Sequence, residues 1–190
     1  MSIFYRGAGV GTYWHINDAR ISGFAAQFPG MTATVNVLMH HIARGTVASP
    51  LISVTRSYGV AEDYAKNAGR KRPTPYNPAY VYRIEINDPT PPNLSLWDPI
   101  KHTATHLPGP LASAYQHDGQ PNFLLGVVDP LGMKPYLSAP YVQPPPAGGT
   151  PRPPTLTIEL ETLVRALRDA EILVVGAIPA ACVTFRFDVY

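Results

Sequence analysis

Cysteine is nearly absent from this chain. Cys182 stands alone, so no intrachain disulfide can form. Its apolar surroundings mark it as a core residue rather than a nucleophile, because burial without a cation raises a thiol pKa. Charge is scarce too. Asp, Glu, Lys and Arg make up 15 % of the sequence, against the quarter or so usual for a globular domain. The net charge is only +2, and the one basic cluster, Arg70-Lys71-Arg72, reads as a solvated loop. Such a balance is too mild to imply a nucleic-acid partner by electrostatics alone. No apolar run is long enough to span a bilayer, and the N-terminus lacks the basic-then-apolar pattern of a signal peptide. The expectation is a cytoplasmic fold with no membrane partner, compatible with export by a dedicated machine into a target cell.

Several chemistries lack their signatures. There is no G-x-S-x-G nucleophile elbow. Gly7, Gly9 and Gly11 are spaced G-x-G-x-G, not G-x-G-x-x-G, and Thr12-Tyr13-Trp14-His15 opens no convincing helix, which excludes a Rossmann pyrophosphate site. His102 and His106 are four apart, but Pro108-Gly109-Pro110 follow at once, so they read as a loop pair and no metal is expected. His40 and His41 fall in a helix and need no function.

What the chain has is apolar residues, 45 % of the total, and 22 prolines. A real core with many loops follows, and 190 residues suit a single domain, 1–190, with a Pro-rich loop at about 140–154. Ile3 to Arg6 reads as a short strand. Met31, Val35, Leu38, Met39 and Ile42 recur at helical spacing, with Gly45 as the cap. Leu51 to Thr55 reads as a buried strand. Gly59 to Ala68 reads as a helix with Val60, Ala61, Tyr64 and Ala68 on one face and Gly69 closing it. Tyr80, Tyr82, Ile84 and Ile86 alternate with Val81, Arg83 and Glu85, the pattern of a half-buried strand. Asn87 to Pro99 reads as loop, and Phe123 to Val128 as strand. A helix with Leu160, Leu163, Val164 and Leu167 on its apolar face comes next. Ile172 to Val175 and Val183 to Val189 close the chain as strands. This order predicts an α+β fold with mixed or antiparallel sheets.

Three segments carry the chemistry. Phe4-Tyr5-Arg6-Gly7 sets an arginine near the end of a strand, where its planar fork suits a pyrophosphate. Ser53-Val54-Thr55 puts two hydroxyls on one strand face, able to bond a ribose or order a carboxylate. Asp169-Ala170-Glu171 opens an apolar strand; if extended, it places two carboxylates on one face.

Together and in this order, the three segments resemble the R-S-E, cholera-toxin-like class of mono-ADP-ribosyltransferases. That family has a Tyr- or Phe-Arg-Gly element, a Ser-Thr-Ser-like strand entering an alanine-rich helix, and a Glu- or Gln-x-Glu element leading into an apolar-Gly-x-Ile-Pro strand. Here Val175-Gly176-Ala177-Ile178-Pro179 follows Glu171. Asp169 stands where members carry Glu or Gln, and Thr55 replaces the last serine. The resemblance implies an ADP-ribosyltransferase-like split mixed or antiparallel β core with flanking helices, and NAD as substrate without a metal. Glu171, Ser53 and Arg6 would be catalytic. Arg6, Gly7, Ser53, Thr55 and Tyr64 would bind NAD; Tyr58 or Tyr64 would stack on nicotinamide. Asp169 would face the acceptor, more in keeping with a protein than a nucleic acid. As in other toxins and effectors, an immunity or antitoxin protein would be a further partner. Two alternatives stand beside this: an NAD glycohydrolase, and an inactive fold presenting Pro140 to Pro154 to a partner. If three first-contact residues are to touch one small ligand, Arg6, Ser53 and Glu171 must lie within about 15 Å of one another.

Overall fold

A computed structural model describes residues 1–106, 116–117, 120–121 and 158–190. The expected strand Phe123 to Val128 and the Pro-rich run Pro140 to Pro154 lie outside the described residues. In chain order the elements are β1 (Ser2–Ala8), α1 (Tyr13–Ile16), α2 (Ala19–Ser22), β2 (Phe24–Ala25), α3 (Val35–Arg44), β3 (Leu51–Thr55), α4 (Tyr58–Asn67), β4 (Ala79–Ile86), β5 (Leu94–Trp97), α5 (Pro99–Ala104), β6 (Gln116–His117), β7 (Gln120–Pro121), α6 (Ile158–Arg168), β8 (Glu171–Ile178) and β9 (Val183–Val189). The fold is α+β, and every strand pairing among the described residues is antiparallel. None of the described helices is long and apolar enough to cross a membrane.

The chain forms two compact units. The first comprises Met1–Thr34, Thr46–Asp98 and Asp169–Tyr190. Its seven-stranded sheet runs β2-β8-β3-β1-β4-β9, with β5 also paired to β8. Two blocks make up this sheet. In one, β4 lies between β1 and β9, with a continuous register from Ser2↔Ile86 to Ala8↔Tyr80 on one side and, on the other, a register from Ala79↔Val189 to Ile84↔Val183 that shifts between Arg83 and Ile84. In the other, β8 carries β3, β5 and β2. A single register pair, Tyr5↔Thr55, joins the blocks.

Alternation decides what each face packs against. Phe4, Tyr82, Ile84 and Ile86 join Ile52, Val54, Ile172 and Val174 in the larger core, which Phe24 and Trp14 complete. The opposite face of β4 is buried as well. Ala79 and Val81 pack with Val189 beneath Ala61 and Ala65 of α4. β4 is therefore covered on both sides where alternation predicts one, because α4 lies over Val81. The buried residues of α4 are Ala61 and Ala65, not Tyr64 and Ala68, which are exposed. The cause is Gly7. A Cβ there would sit 2.2 Å from the Ala61 carbonyl oxygen and 2.8 Å from the Ala65 amide nitrogen, so only small side chains fit at the contact. Ser57 caps the helix by accepting from the Val60 N–H at 3.3 Å.

Other boundaries shift. α3 starts at Val35, leaving Met31 exposed, and Gly45 ends it with φ 62°. The stretch Asn87 to Pro99 is not all loop. It contains β5, whose entry presses Asn93 against Gly176 of β8. A Cβ at Gly176 would lie 1.9 Å from the Asn93 oxygen, and Gly176 has φ 99°. The cues for loop, Pro91-Pro92-Asn93, end one residue before the strand begins. Cys182 is partly buried in a 3-10 turn ahead of β9, and burial raises its thiol pKa.

The second unit comprises Val35–Gly45 and Pro99–Arg168. Leu38, Met39, Ile42 and Ala43 of α3 are buried, as are Thr162, Leu163 and Ala166 of α6. Thr162 donates to the carbonyls of Ile158 (2.6 Å) and Met39 (3.4 Å). Glu161 pairs with Arg44 and Arg165 at 2.6 and 2.8 Å. His102 is helical, in α5, rather than in a loop, because Pro99 suits the first position of a helix.

Gly7→Ala should lower stability by at least the ~1–3 kcal/mol of an overpacked site. Gly30→Ala, where a Cβ meets nothing within 4 Å, is the neutral control. Urea midpoints of the two variants check this; equal midpoints would remove the close contact between α4 and β1.

Candidate functional site

The most unusual group in the first unit is the guanidinium of Arg6. Its strand leaves β3 just after the joining pair, and the side chain reaches over the parting. There Nη1 donates to the Ser53 carbonyl oxygen. The guanidinium carbon stands 5.6 Å from the centroid of the Phe24 ring. Phe24 is held edge-on by Trp14 (4.8 Å) and Tyr82 (5.4 Å). The Arg6 residue as a whole is half-buried, but its Nε is sealed from solvent and has no hydrogen-bond partner among the described residues. Burial pulls the Arg6 pKa down to about 10, against the opposing pull of Glu171's negative charge. The group stays protonated at neutral pH, so a cation is kept in an enclosed place with incomplete partners. Buried cations are costly, and strongly perturbed ones gather at functional sites.

Glu171 begins β8, half-buried, opposite Thr55. The turn before it is fixed by three hydrogen bonds. The Thr55 hydroxyl donates to the Asp169 carbonyl at 2.5 Å and accepts from the Ser57 N–H at 3.0 Å. The Arg56 N–H donates to the Ala170 carbonyl at 3.1 Å. Ala170 takes φ 46°, a left-handed conformation unusual outside glycine. This turn aims Glu171, and the same Thr55 hydroxyl fixes the start of α4.

Asp169 therefore does not run extended beside Glu171. It sits in the turn, 8 % exposed, and its Oδ2 accepts from the Tyr64 hydroxyl at 3.0 Å. A reading of the three residues as one extended stretch fails at Ala170, whose positive φ turns the backbone.

The structure brings Arg6, Ser53 and Glu171 together. Arg6 donates to the Ser53 backbone carbonyl, Glu171 lies within electrostatic reach of Arg6, and Ser53 and Glu171 are on adjacent strands. By strand parity Ser53 and Glu171 share a face with Thr55, whereas Arg6 shares one with Phe4 and Tyr82. The guanidinium thus bonds the Ser53 backbone carbonyl from the strand face opposite to the Ser53 and Glu171 side chains. Gly7 sits under α4, and its lack of a side chain is accounted for by the helix contact. Thr55 spends its hydroxyl on the turn. Tyr58 is packed edge-on against Tyr5 (5.6 Å) and Phe187 (5.3 Å), leaving Tyr64 as the more exposed tyrosine of α4. Phe24 escapes sequence reading altogether, since nothing in Gly23-Phe24-Ala25 signals a cation partner. Among the described residues no cluster of three His, Cys, Asp or Glu side chains could hold a metal ion.

Two stability measurements follow. Arg6→Met should leave the protein as stable or up to about 4 kcal/mol more stable, because an apolar side chain replaces an under-partnered buried cation. The difference should be flat from pH 5 to pH 9, since a group with pKa about 10 is protonated throughout. The cost of the charged form is relieved only as pH rises through that value. A large loss of stability on urea titration would show that the guanidinium instead anchors the fold. Thr55→Val keeps the shape but removes the hydroxyl's bonds to the Asp169 carbonyl and the Ser57 N–H. It should cost about 1–3 kcal/mol in the same titration.

Compared with known proteins, this chain matches no family model, no curated protein and no solved structure, so its function has to be argued from this seam of Arg6, Ser53 and Glu171.

Proposed function

We propose that this chain is an NAD-dependent mono-ADP-ribosyltransferase, cleaving the bond between nicotinamide and ribose and passing ADP-ribose to an acceptor. The observation that carries the proposal is the Arg6 guanidinium, kept charged and incompletely partnered at the parting of two antiparallel blocks, beside Ser53 and Glu171. A pyrophosphate supplies the two acceptor oxygens that a planar fork with a spare N–H lacks. On this reading the two blocks correspond to the split β core of the ADP-ribosyltransferase fold.

Breaking the glycosidic bond develops positive charge on the ribose, as in glycoside hydrolysis. Glu171 stabilises that oxocarbenium-like state and holds the ribose 2′-hydroxyl. Ser53 orients Glu171 and contacts the ribose. Thr55 acts through the turn, by fixing where Glu171 begins. The neutral nicotinamide leaves with the bonding electron pair, so no metal is required.

One observation favours a second acceptor, water, which would make the enzyme an NAD glycohydrolase. The carboxylate of Asp169 is buried and bonded to Tyr64, so Asp169 is not directly exposed to a bulky acceptor. Product analysis separates the two, since hydrolysis yields only free ADP-ribose.

Glu171→Gln should reduce nicotinamide release from NAD by about a hundred- to a thousandfold with the thermal midpoint retained. Full activity would remove Glu171 from catalysis. Arg6→Lys keeps the charge but not the fork, and should weaken NAD binding by about tenfold or more in calorimetry. Unchanged affinity would show that the pyrophosphate is held elsewhere.

A further inference from the structure

The Tyr64 hydroxyl donates to the carboxylate of Asp169. Tyr64 is 47 % exposed, whereas Asp169 is 8 % exposed, and the two meet at 3.0 Å. A nucleophilic oxygen within hydrogen-bond reach of a base, with that base oriented by a third group, is the arrangement of an activated nucleophile. The third group is present. Thr55 fixes the Asp169 backbone at 2.5 Å, and the same turn fixes Glu171 two residues on.

We propose that Tyr64 is a self-modification site, accepting ADP-ribose from NAD bound at this chain's own site. This rests on the NAD-cleaving reading above. The Tyr64 Oη attacks the ribose carbon that carries nicotinamide. The C–N bond breaks, and nicotinamide leaves neutral with its electron pair. As the new C–O bond forms, the phenolic proton passes to Asp169 Oδ2 and from there to solvent. NAD and one tyrosine hydroxyl give one O-linked ADP-ribosyl tyrosine, one nicotinamide and one proton, with no oxidant or further reactant. Of the other tyrosines, Tyr82 is buried with its hydroxyl on the Trp14 carbonyl at 2.8 Å. Tyr76 is fully exposed but shows no carboxylate partner among the described residues. Exposure and a base coincide at Tyr64.

The test is incubation of the full chain with NAD alone, followed by intact mass, peptide mapping and nicotinamide quantification. The expected result is one ADP-ribose per chain, mapped to Tyr64, at a rate that does not change when the chain is diluted. Tyr64→Phe should lower label per nicotinamide released by about tenfold or more, and Asp169→Asn should lower it in the same direction. Tyr76→Phe should label as the unaltered chain does. Nicotinamide release with no label, or with label mapped elsewhere, overturns this inference and leaves the NAD-cleaving reading standing. Label whose rate rises with chain concentration overturns attack within one molecule. No nicotinamide release from the unaltered chain overturns both.

Discussion

One contact organises the first unit of this protein, the pair Tyr5↔Thr55 that joins two antiparallel blocks. Either side of it the strands are paired continuously within their own block, and between the blocks they are not. At the place where the sheet parts, Arg6 donates to the backbone carbonyl of Ser53. The arginine is short of partners there and loses water as well, which explains the lowered pKa.

The carboxylate side of the seam is built by different means. Glu171 owes its position to the turn before it, and the turn owes its shape to a single hydroxyl. Thr55 is a strand residue, a turn lock and a brace for the N-terminus of α4 at once. The geometry of the acid and the geometry of the helix that carries Tyr64 are therefore coupled through one side chain. The bond from Tyr64 to Asp169 closes this circuit. Any chemistry that moves Tyr64 would be felt at the turn that aims Glu171.

Much of this was legible in the sequence. β3 occupies Leu51–Thr55, as its apolar run with polar flanks implies, and β9 follows the alternation of Val183 to Val189. Arg6, Ser53 and Glu171 could be picked out by type and order. Less legible were features that need two distant segments at once. Val81 reads as a solvent-facing position because α4 is invisible from β4 alone. The alanines of α4 look less apolar than Tyr64, yet they are the buried ones, because Gly7 leaves room for nothing larger. β5 is hidden by the prolines before it and exists because β8 offers an open edge.

The sequence by itself determined the α+β class, the main strands and the candidate side chains Arg6, Ser53 and Glu171. Those properties are written in local periodicity and side-chain chemistry. Only the tertiary structure decided that Arg6 is enclosed and short of partners, and that Ala170 turns Asp169 inward onto Tyr64. Desolvation and hydrogen-bond closure depend on what the folded chain places within a few ångströms, and residues 64 and 169 are neighbours in space alone.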